Sequence, residues 1–412
     1  MKTIFVDPDN GTLQLEPSFY SIGSELQALL QLTQAVNNNL SSEGILKMFI
    51  SILIKQLGIN RLAIFLEEEG NWECRHYFGL AQEEYEDLDN RFEPEFRQIG
   101  RIQNHFFSRY FDFIFPVYHK DKPLLYTFLG DIMPRGEMDE HSKLNFIQVL
   151  SSIVAMALEN KRLCREQRNQ QALRSELIQA GELQTMLIPD NLPDNHRIQM
   201  SGVYSPHHEV GGDYYDYLSL NEDECMFCIG DISGKGVAAA LLMANFQARL
   251  RSYADQYTSL VALVENLNTH VNNITKGEKY ITFFLAKFNF VTRELQYVNA
   301  GHNPAILYHG QEIQYLEEGC TILGMFEKLP YVNVRTIHLP SPFVTFCYTD
   351  GLSDIENKKG KPLEIHHLTE FIKHYHMLDA RSLNKKLMTY IQRFNGSEFA
   401  NDDVSMLTCK IF

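Results

Sequence analysis

Four aspartate clusters punctuate the second half of the chain, and each stands beside a run that reads as a β-strand. They are Gly211-Gly212-Asp213-Tyr214-Tyr215-Asp216, Gly230-Asp231-Ile232-Ser233-Gly234-Lys235-Gly236, Thr349-Asp350-Gly351-Leu352-Ser353-Asp354 and Asn401-Asp402-Asp403-Val404-Ser405. Asp231 follows the apolar run CMFCIG, Asp350 follows FVTFCYT, and Asp402 and Asp403 precede VSMLTCKI. Carboxylates gathered at neighbouring strand ends repel one another and are costly unless paired. Hard divalent cations such as Mg²⁺ or Mn²⁺, which prefer oxygen ligands, remove that conflict. Two such ions are a standard apparatus for in-line displacement at phosphorus. Taken singly, an Asp-Gly pair is an ordinary turn dipeptide. Four clusters on adjoining strands point to a common site.

The surrounding pattern predicts an α+β protein. Strands are expected at 198–204, 214–220, 224–230, 280–290, 294–299, 332–338, 343–348 and 404–411, with helices at 237–253, 260–274, 365–374 and 381–394. Strands interleaved with paired helices suggest a sheet sandwich covered by helices. Upstream, helices from Ile22 and over 45–57, strands at 60–66, 113–118 and 124–130, and a closing helix at 144–163 describe a separate α+β domain. Residues 161–188, rich in Gln, Arg, Glu and Leu, continue that closing helix until Pro189 and Pro193 end it. Leu173, Leu177, Ala180, Leu183 and Leu187 approximate a helical stripe. A plain connector and a dimerising coiled coil both fit it. The expected organisation is an extension (1–20), a first domain (21–160), a helical linker (161–188) and a second domain (189–412).

The 412-residue chain carries a net charge of −15, which argues against general nucleic-acid binding. No apolar leader and no membrane-length apolar run is seen; the best candidate, 147–158, is short and interrupted by Gln148, Ser151 and Ser152. A cytoplasmic protein with no membrane partner is expected. The seven cysteines show no framework spacing. Cys225 and Cys228 lie on an expected strand, where residues three apart face opposite sides, so they read as core thiols. Cys74 with His76 could hold a chromophore or a metal, and a structural role is the simpler account.

The order EVGGDYYD, GDISGKGVAAALLMA, YVNAGHNPAILY, YTDGLSD and NDDVSML resembles the SpoIIE/RsbU branch of the PPM metal-dependent protein serine/threonine phosphatases, over about 184–412. The preceding ELQTMLIPDNLP resembles the segment that leads into that domain. Residues 21–160, through their element order and FIFPVYHKDKPLLYTFLG, resemble a GAF-type sensor domain. The resemblance implies a PPM-type α-β-β-α sandwich and two Mn²⁺ or Mg²⁺ ions. Asp231 would bridge both ions, the Ile232 carbonyl would bind one, Asp350 and Asp402 would complete the second, and Asp213 would bind directly or through water. Asp213 and Asp231 would then be the catalytic pair, Asp216 and Asp403 would support the ligands, and Asp354 is a weaker candidate. The implied substrate is a phosphorylated regulatory protein such as an anti-sigma-factor antagonist, with regulation through the sensor and a homodimer through the linker helix.

Eukaryotic members of this class have histidine where Ser233 stands, which leaves the leaving-group acid open. His302 is a candidate, although a turn role is favoured for Gly301-His302. Lys235 could steer phosphate or simply be solvated, and His207-His208 reads as surface loop. Two other functions compete with this one. Gly211-Gly212-Asp213 suggests a diguanylate cyclase, but that fold does not supply the later aspartates. A catalytically silent scaffold would have no need to gather them.

Overall fold

The computed structural model describes residues 17–412 apart from 69, 133–139, 255, 257–258 and 397–401. The expected extension (1–20) therefore lies mostly outside the described residues, as does Asn401, while residues 17–20 are helical. The chain divides into two compact units, 1–171 and 172–412.

In the first unit, α1 (Pro17–Asn37) and α2 (Ser42–Ser51) are followed by β1 (Ile59–Glu68), β2 (Asn71–Phe78), α3 (Gln82–Asn90), β3 (Gly100–Arg101), β4 (Phe113–His119) and β5 (Lys122–Ile132). The long helix α4 (Glu140–Thr185) then begins. Ser41 caps α2 by accepting a hydrogen bond from the Gly44 N–H. The strands form one antiparallel sheet in the order β2-β1-β5-β4-β3. Period-2 alternation on β1 splits the core. Leu62 and Ile64 face Leu32, Phe49, Leu150 and Val154 of the helices, while Ala63 and Phe65 face Phe107, Tyr126 and Phe128. The hairpin strand β2 and helix α3 were not legible in the sequence. The β2 burial alternates irregularly, and α3 is mostly charged. Cys74 is buried there, its N–H donates to the Asp89 carboxylate, and burial pushes its thiol up to about 12. A thiol held protonated in this way is a core group rather than a ligand.

The second unit contains the remainder of α4, then β6 (Ile198–Ser205), β7 (Tyr214–Ser219), β8 (Glu224–Ile232), α5 (Val237–Ala254) and α6 (Leu260–Thr275). These lead to β9 (Ile281–Asn289), β10 (Glu294–Ala300), β11 (Ala305–His309), β12 (Glu312–Leu316), β13 (Gly319–Cys320) and β14 (Arg335–His338). Finally come β15 (Phe343–Tyr348), α7 (Asp350–Ser353), α8 (Ile365–Tyr375), α9 (Ala380–Asn395) and β16 (Val404–Ile411). One sheet runs β13-β10-β9-β8-β7 with β14 on β10, and the other runs β12-β11-β15-β16-β6. All pairings are antiparallel except β10 with the two-residue β13.

The two sheets pack face to face through Phe227, Phe284, Phe288 and Tyr297 on one side and Leu307, Phe343, Leu407 and Cys409 on the other. Helices α5 and α6 cover the outer face of the first sheet through Met243, Phe246 and Leu263, and α8 and α9 cover the second through Leu368, Ile372 and Leu387. Each such side chain contributes about 1.5–3 kcal/mol by leaving water. The sandwich is the expected α-β-β-α arrangement. Cys225 faces the inter-sheet core and Cys228 faces α5 and α6, so the C-x-x-C pair is divided between two cores.

Candidate active site

Strand registry brings the four clusters to one end of the sandwich. Tyr214 pairs with Gly230, which sets Asp213 beside Asp231 in the first sheet. Tyr348 pairs with Met406, and the Thr349 N–H donates to the Ser405 carbonyl at 3.0 Å, which sets Asp350 beside Asp402 in the second. Two side chains tie the sheets together at this end. The Thr349 hydroxyl donates to Asp213 Oδ2 at 2.7 Å. Asp403 accepts from the Gly212 N–H at 2.6 Å and the His207 N–H at 2.8 Å. The glycines permit this closeness. A Cβ on Gly351 would come within 2.0 Å of the Asp403 carbonyl oxygen. One on Gly212 would sit 2.8 Å from the Ile232 carbonyl and 3.5 Å from Asp231 Oδ1, so both oxygens face the Gly212 backbone.

The electrostatics follow from that crowding. Asp213 is only 1% exposed, and its carboxyl is held well above the usual range by burial and then by the Asp231 charge, against the stabilising Thr349 hydroxyl. Asp231 is pushed up to about 7 by burial, then by Asp350 and Asp402. Asp350 is raised by burial, then by Asp354 and Asp402. The cation set among them is Lys235, whose Nζ lies 3.0 Å from Asp402 Oδ2 and whose charge draws the Asp231 value back down. Among the described residues, no three His, Cys, Asp or Glu side chains converge closely enough to hold a metal by themselves. The donor set at this end is nonetheless all oxygen, carboxylates plus the Ile232 carbonyl, and it carries more negative charge than Lys235 can balance. Such a set suits Mg²⁺ or Mn²⁺.

Other candidates divide clearly. Asp216 is 0% exposed and is held by Arg251, at 2.7 and 3.0 Å, and by the Tyr214 hydroxyl. It is thus the counter-ion of α5 rather than a support for the ligands. His302 is buried; its Nδ1 meets the Thr282 hydroxyl at 2.9 Å, and burial pushes it down to about 4. A neutral imidazole of this kind is a poor general acid near neutral pH, in keeping with the turn role. His207 and His208 are exposed loop residues.

Gln184 carries no signal in the sequence that marks it as part of the site. This buried side chain of α4 clasps Gly211 by both ends: Nε2 donates to its carbonyl at 2.6 Å and Oε1 accepts from its N–H at 3.1 Å. Gly181, one turn earlier, lets the helix touch the Glu209 carbonyl, which a Cβ would meet at 1.9 Å. The end of α4 therefore holds the loop that carries Asp213. The leucine stripe takes no part in this contact: Leu183 is 65% exposed and Leu187 lies at the surface, whereas Gly181, Gln184 and Ile188 are buried.

Residues 221–412 match the family model of stage II sporulation protein E (SpoIIE). Residues 221–412 thus form a SpoIIE-type domain. Over 338 residues, 80% of this chain and 98% of the relative, the sequence is 22% identical to phosphoserine phosphatase RsbU of Bacillus subtilis. It is 24% identical over 214 residues, 51% of each chain, to phosphoserine phosphatase RsbP of the same organism. Among solved structures, the SiaA-PP2C domain of Pseudomonas aeruginosa matches with a TM-score of 0.53 at 17% identity, covering 59% of this chain and 99% of that one. The SpoIIE-type domain thus has the PP2C fold. Among the described residues, no helix is long and apolar enough to cross a membrane.

Proposed function

We propose that this chain is a metal-dependent phosphoserine/phosphothreonine protein phosphatase of a cytoplasmic signalling pathway. Its substrate is a phosphorylated regulatory protein of the anti-sigma-factor-antagonist kind. The observation that carries the proposal is the set of carboxylates at one end of the sandwich, with Asp213 and Asp231 raised by burial and mutual repulsion. Such a set is poorly compensated without added cations.

Asp231, the Ile232 carbonyl, Asp350 and Asp402 would hold two Mn²⁺ or Mg²⁺ ions, and Asp213 would join them directly or through water. Bound ions supply positive charge for the phosphoryl oxygens and make water acidic enough to attack phosphorus near neutral pH. The chain's own contribution is positional. Thr349 orients the Asp213 carboxylate, Asp403 fixes the Gly211-Gly212 loop, and Lys235 sets a half-exposed positive charge beside Asp402.

Residues 21–160 are proposed to be a GAF-like sensor and 161–188 the linker that relays its state. A homodimer would form through the exposed leucines of that helix, Leu173 and Leu183 among them. RsbU and RsbP are named phosphoserine phosphatases, which supports the substrate class. The test is phosphate release by the full chain from matched phosphoserine, phosphothreonine and phosphotyrosine peptides. Turnover of the first two is expected. Turnover of phosphotyrosine alone, or of none, would overturn the assignment.

A further inference from the structure

The outer face of the second sheet carries a groove that the carboxylate site does not use. Helices α8 and α9 run antiparallel across it. His367 meets the Phe394 ring at 5.9 Å, Phe371 meets Tyr390 at 5.8 Å, and Lys386 lies over the Tyr375 ring at 4.6 Å. Between them is a groove of about 820 Å³ lined by side chains that include His366, Lys373, Tyr375, Lys386, Tyr390 and Arg393.

Its charge is opposite to that of the molecule. The chain as a whole is −15, yet α9 contains Arg381, Lys385, Lys386 and Arg393 and no Asp or Glu. Two carboxylates face this region from α8 and its start. Glu370 pairs with Lys373 at 2.9 Å, and Glu364 pairs with His366 at 3.1 Å. Lys386 and Arg393 from α9 add to the lining without any carboxylate from their own helix.

The groove also points toward the active site. At the far end of β16, Lys410 donates to the carbonyls of His376 and Leu378 in the turn between the two helices. At the near end, β16 begins just after Asp402 and Asp403. There the C-cap of α9, Gly396, packs against Lys358, in the segment that follows Asp350 and α7; a Cβ on Gly396 would meet the Lys358 side chain at 2.2 Å. His366 and Arg393 therefore mark the end of the groove nearest the carboxylates, and Tyr375 and Lys386 the opposite end, about 10–14 Å apart along the helices.

We propose that this groove docks an acidic stretch of the phosphorylated protein partner and so feeds its phosphoserine to the aspartate site. The proposal rests on the phosphatase function above. A polypeptide suits the groove better than a nucleic acid. Tyr375 and Tyr390 offer partly exposed apolar surface beside the cations, while Glu364, Glu370 and the −15 charge of the chain oppose a continuous phosphate backbone. Exposed charges of this sort act mainly on association and on partner choice.

The test uses the full chain and a phosphoserine peptide extended through a flexible spacer by a run of glutamates, beside the same peptide extended by serines. In the wild type the glutamate extension should lower KM about tenfold at low salt, and added salt should erase the difference. The Lys373→Glu/Lys386→Glu/Arg393→Glu variant should lose that advantage while hydrolysing para-nitrophenyl phosphate at the wild-type rate. The milder Gln variants of the same residues should show a partial loss, which guards against misfolding of the charge-reversed chain. Fluorescence anisotropy with an unphosphorylated glutamate-run peptide reads docking without catalysis, so a failure of the phosphatase assignment is told apart from a failure of the groove. Equal KM for the two peptides, equal anisotropy for wild type and variant, or tighter binding of a single-stranded DNA of matched charge would each overturn the proposal.

Discussion

Replacing Asp231 with Asn should stabilise the metal-free protein while abolishing turnover. In the folded chain this carboxyl is pushed from 3.8 up to about 7, chiefly by burial and then by Asp350 and Asp402. Because the folded value lies above the unfolded one, the native state binds more protons between those limits, and stability falls as pH rises through that window. At about 1.36 kcal/mol per pH unit the full cost approaches roughly 4 kcal/mol above pH 7. Sharing of the charge among the neighbouring aspartates makes about 2–4 kcal/mol the reasonable expectation. Asparagine removes that cost. For a unit of this size the gain is worth roughly 5–10 °C. The assay is thermal unfolding of the full chain in EDTA at pH 8 and pH 5, following the transition that Mn²⁺ raises in the wild type. The variant should melt higher at pH 8, and the gap should shrink by more than half at pH 5, where the wild-type carboxyl is already protonated. A variant that melts lower than wild type at pH 8, or a gap independent of pH, would refute the reasoning.

Gln184→Ala leaves the buried N–H and carbonyl of Gly211 without their partner. It should cost about 2 kcal/mol in stability and raise the Mn²⁺ concentration for half-maximal activity, read by metal titration. Arg251→Met strands the buried Asp216 carboxylate and should destabilise by about 3 kcal/mol in denaturant melts, with little change in KM for a peptide substrate. His302→Gln should leave the shape of the kcat–pH profile between pH 6 and 9 unchanged, because the native imidazole, pushed down to about 4 by burial, is already neutral there. An acidic or basic limb that disappears in the variant would assign His302 a proton-transfer role.

The carboxylate site was legible in the sequence because each aspartate abuts an apolar run long enough to read as a strand, and registry then does the rest. Tyr214 against Gly230 and Tyr348 against Met406 convert spacing along the chain into proximity. Strands β11 and β12 were not anticipated. Each has only five residues, and β12 alternates too weakly to show a period. The contact that α4 makes was not legible for a different reason. Helical periodicity favours leucines, whereas the contact with the Asp213 loop is made by a glycine that permits close approach and a glutamine that satisfies backbone polar groups. Neither residue carries a hydrophobic signal, although both lie at or just before the ELQTMLIPDNLP segment. The family resemblance implies a supporting role for Asp216 at the site. Strand alternation sends it instead to Arg251.

The most direct measurement is phosphate release from a phosphoserine peptide by the full chain after exhaustive EDTA treatment, with Mn²⁺, Mg²⁺ or Zn²⁺ added back. Activity should vanish on chelation, return with Mn²⁺ or Mg²⁺, return poorly with Zn²⁺ because the donor set is all oxygen, and stay absent in Asp231→Asn under every metal. Full turnover in the chelated wild type, or near-normal turnover by Asp231→Asn at saturating Mn²⁺, would contradict a metal-dependent carboxylate site.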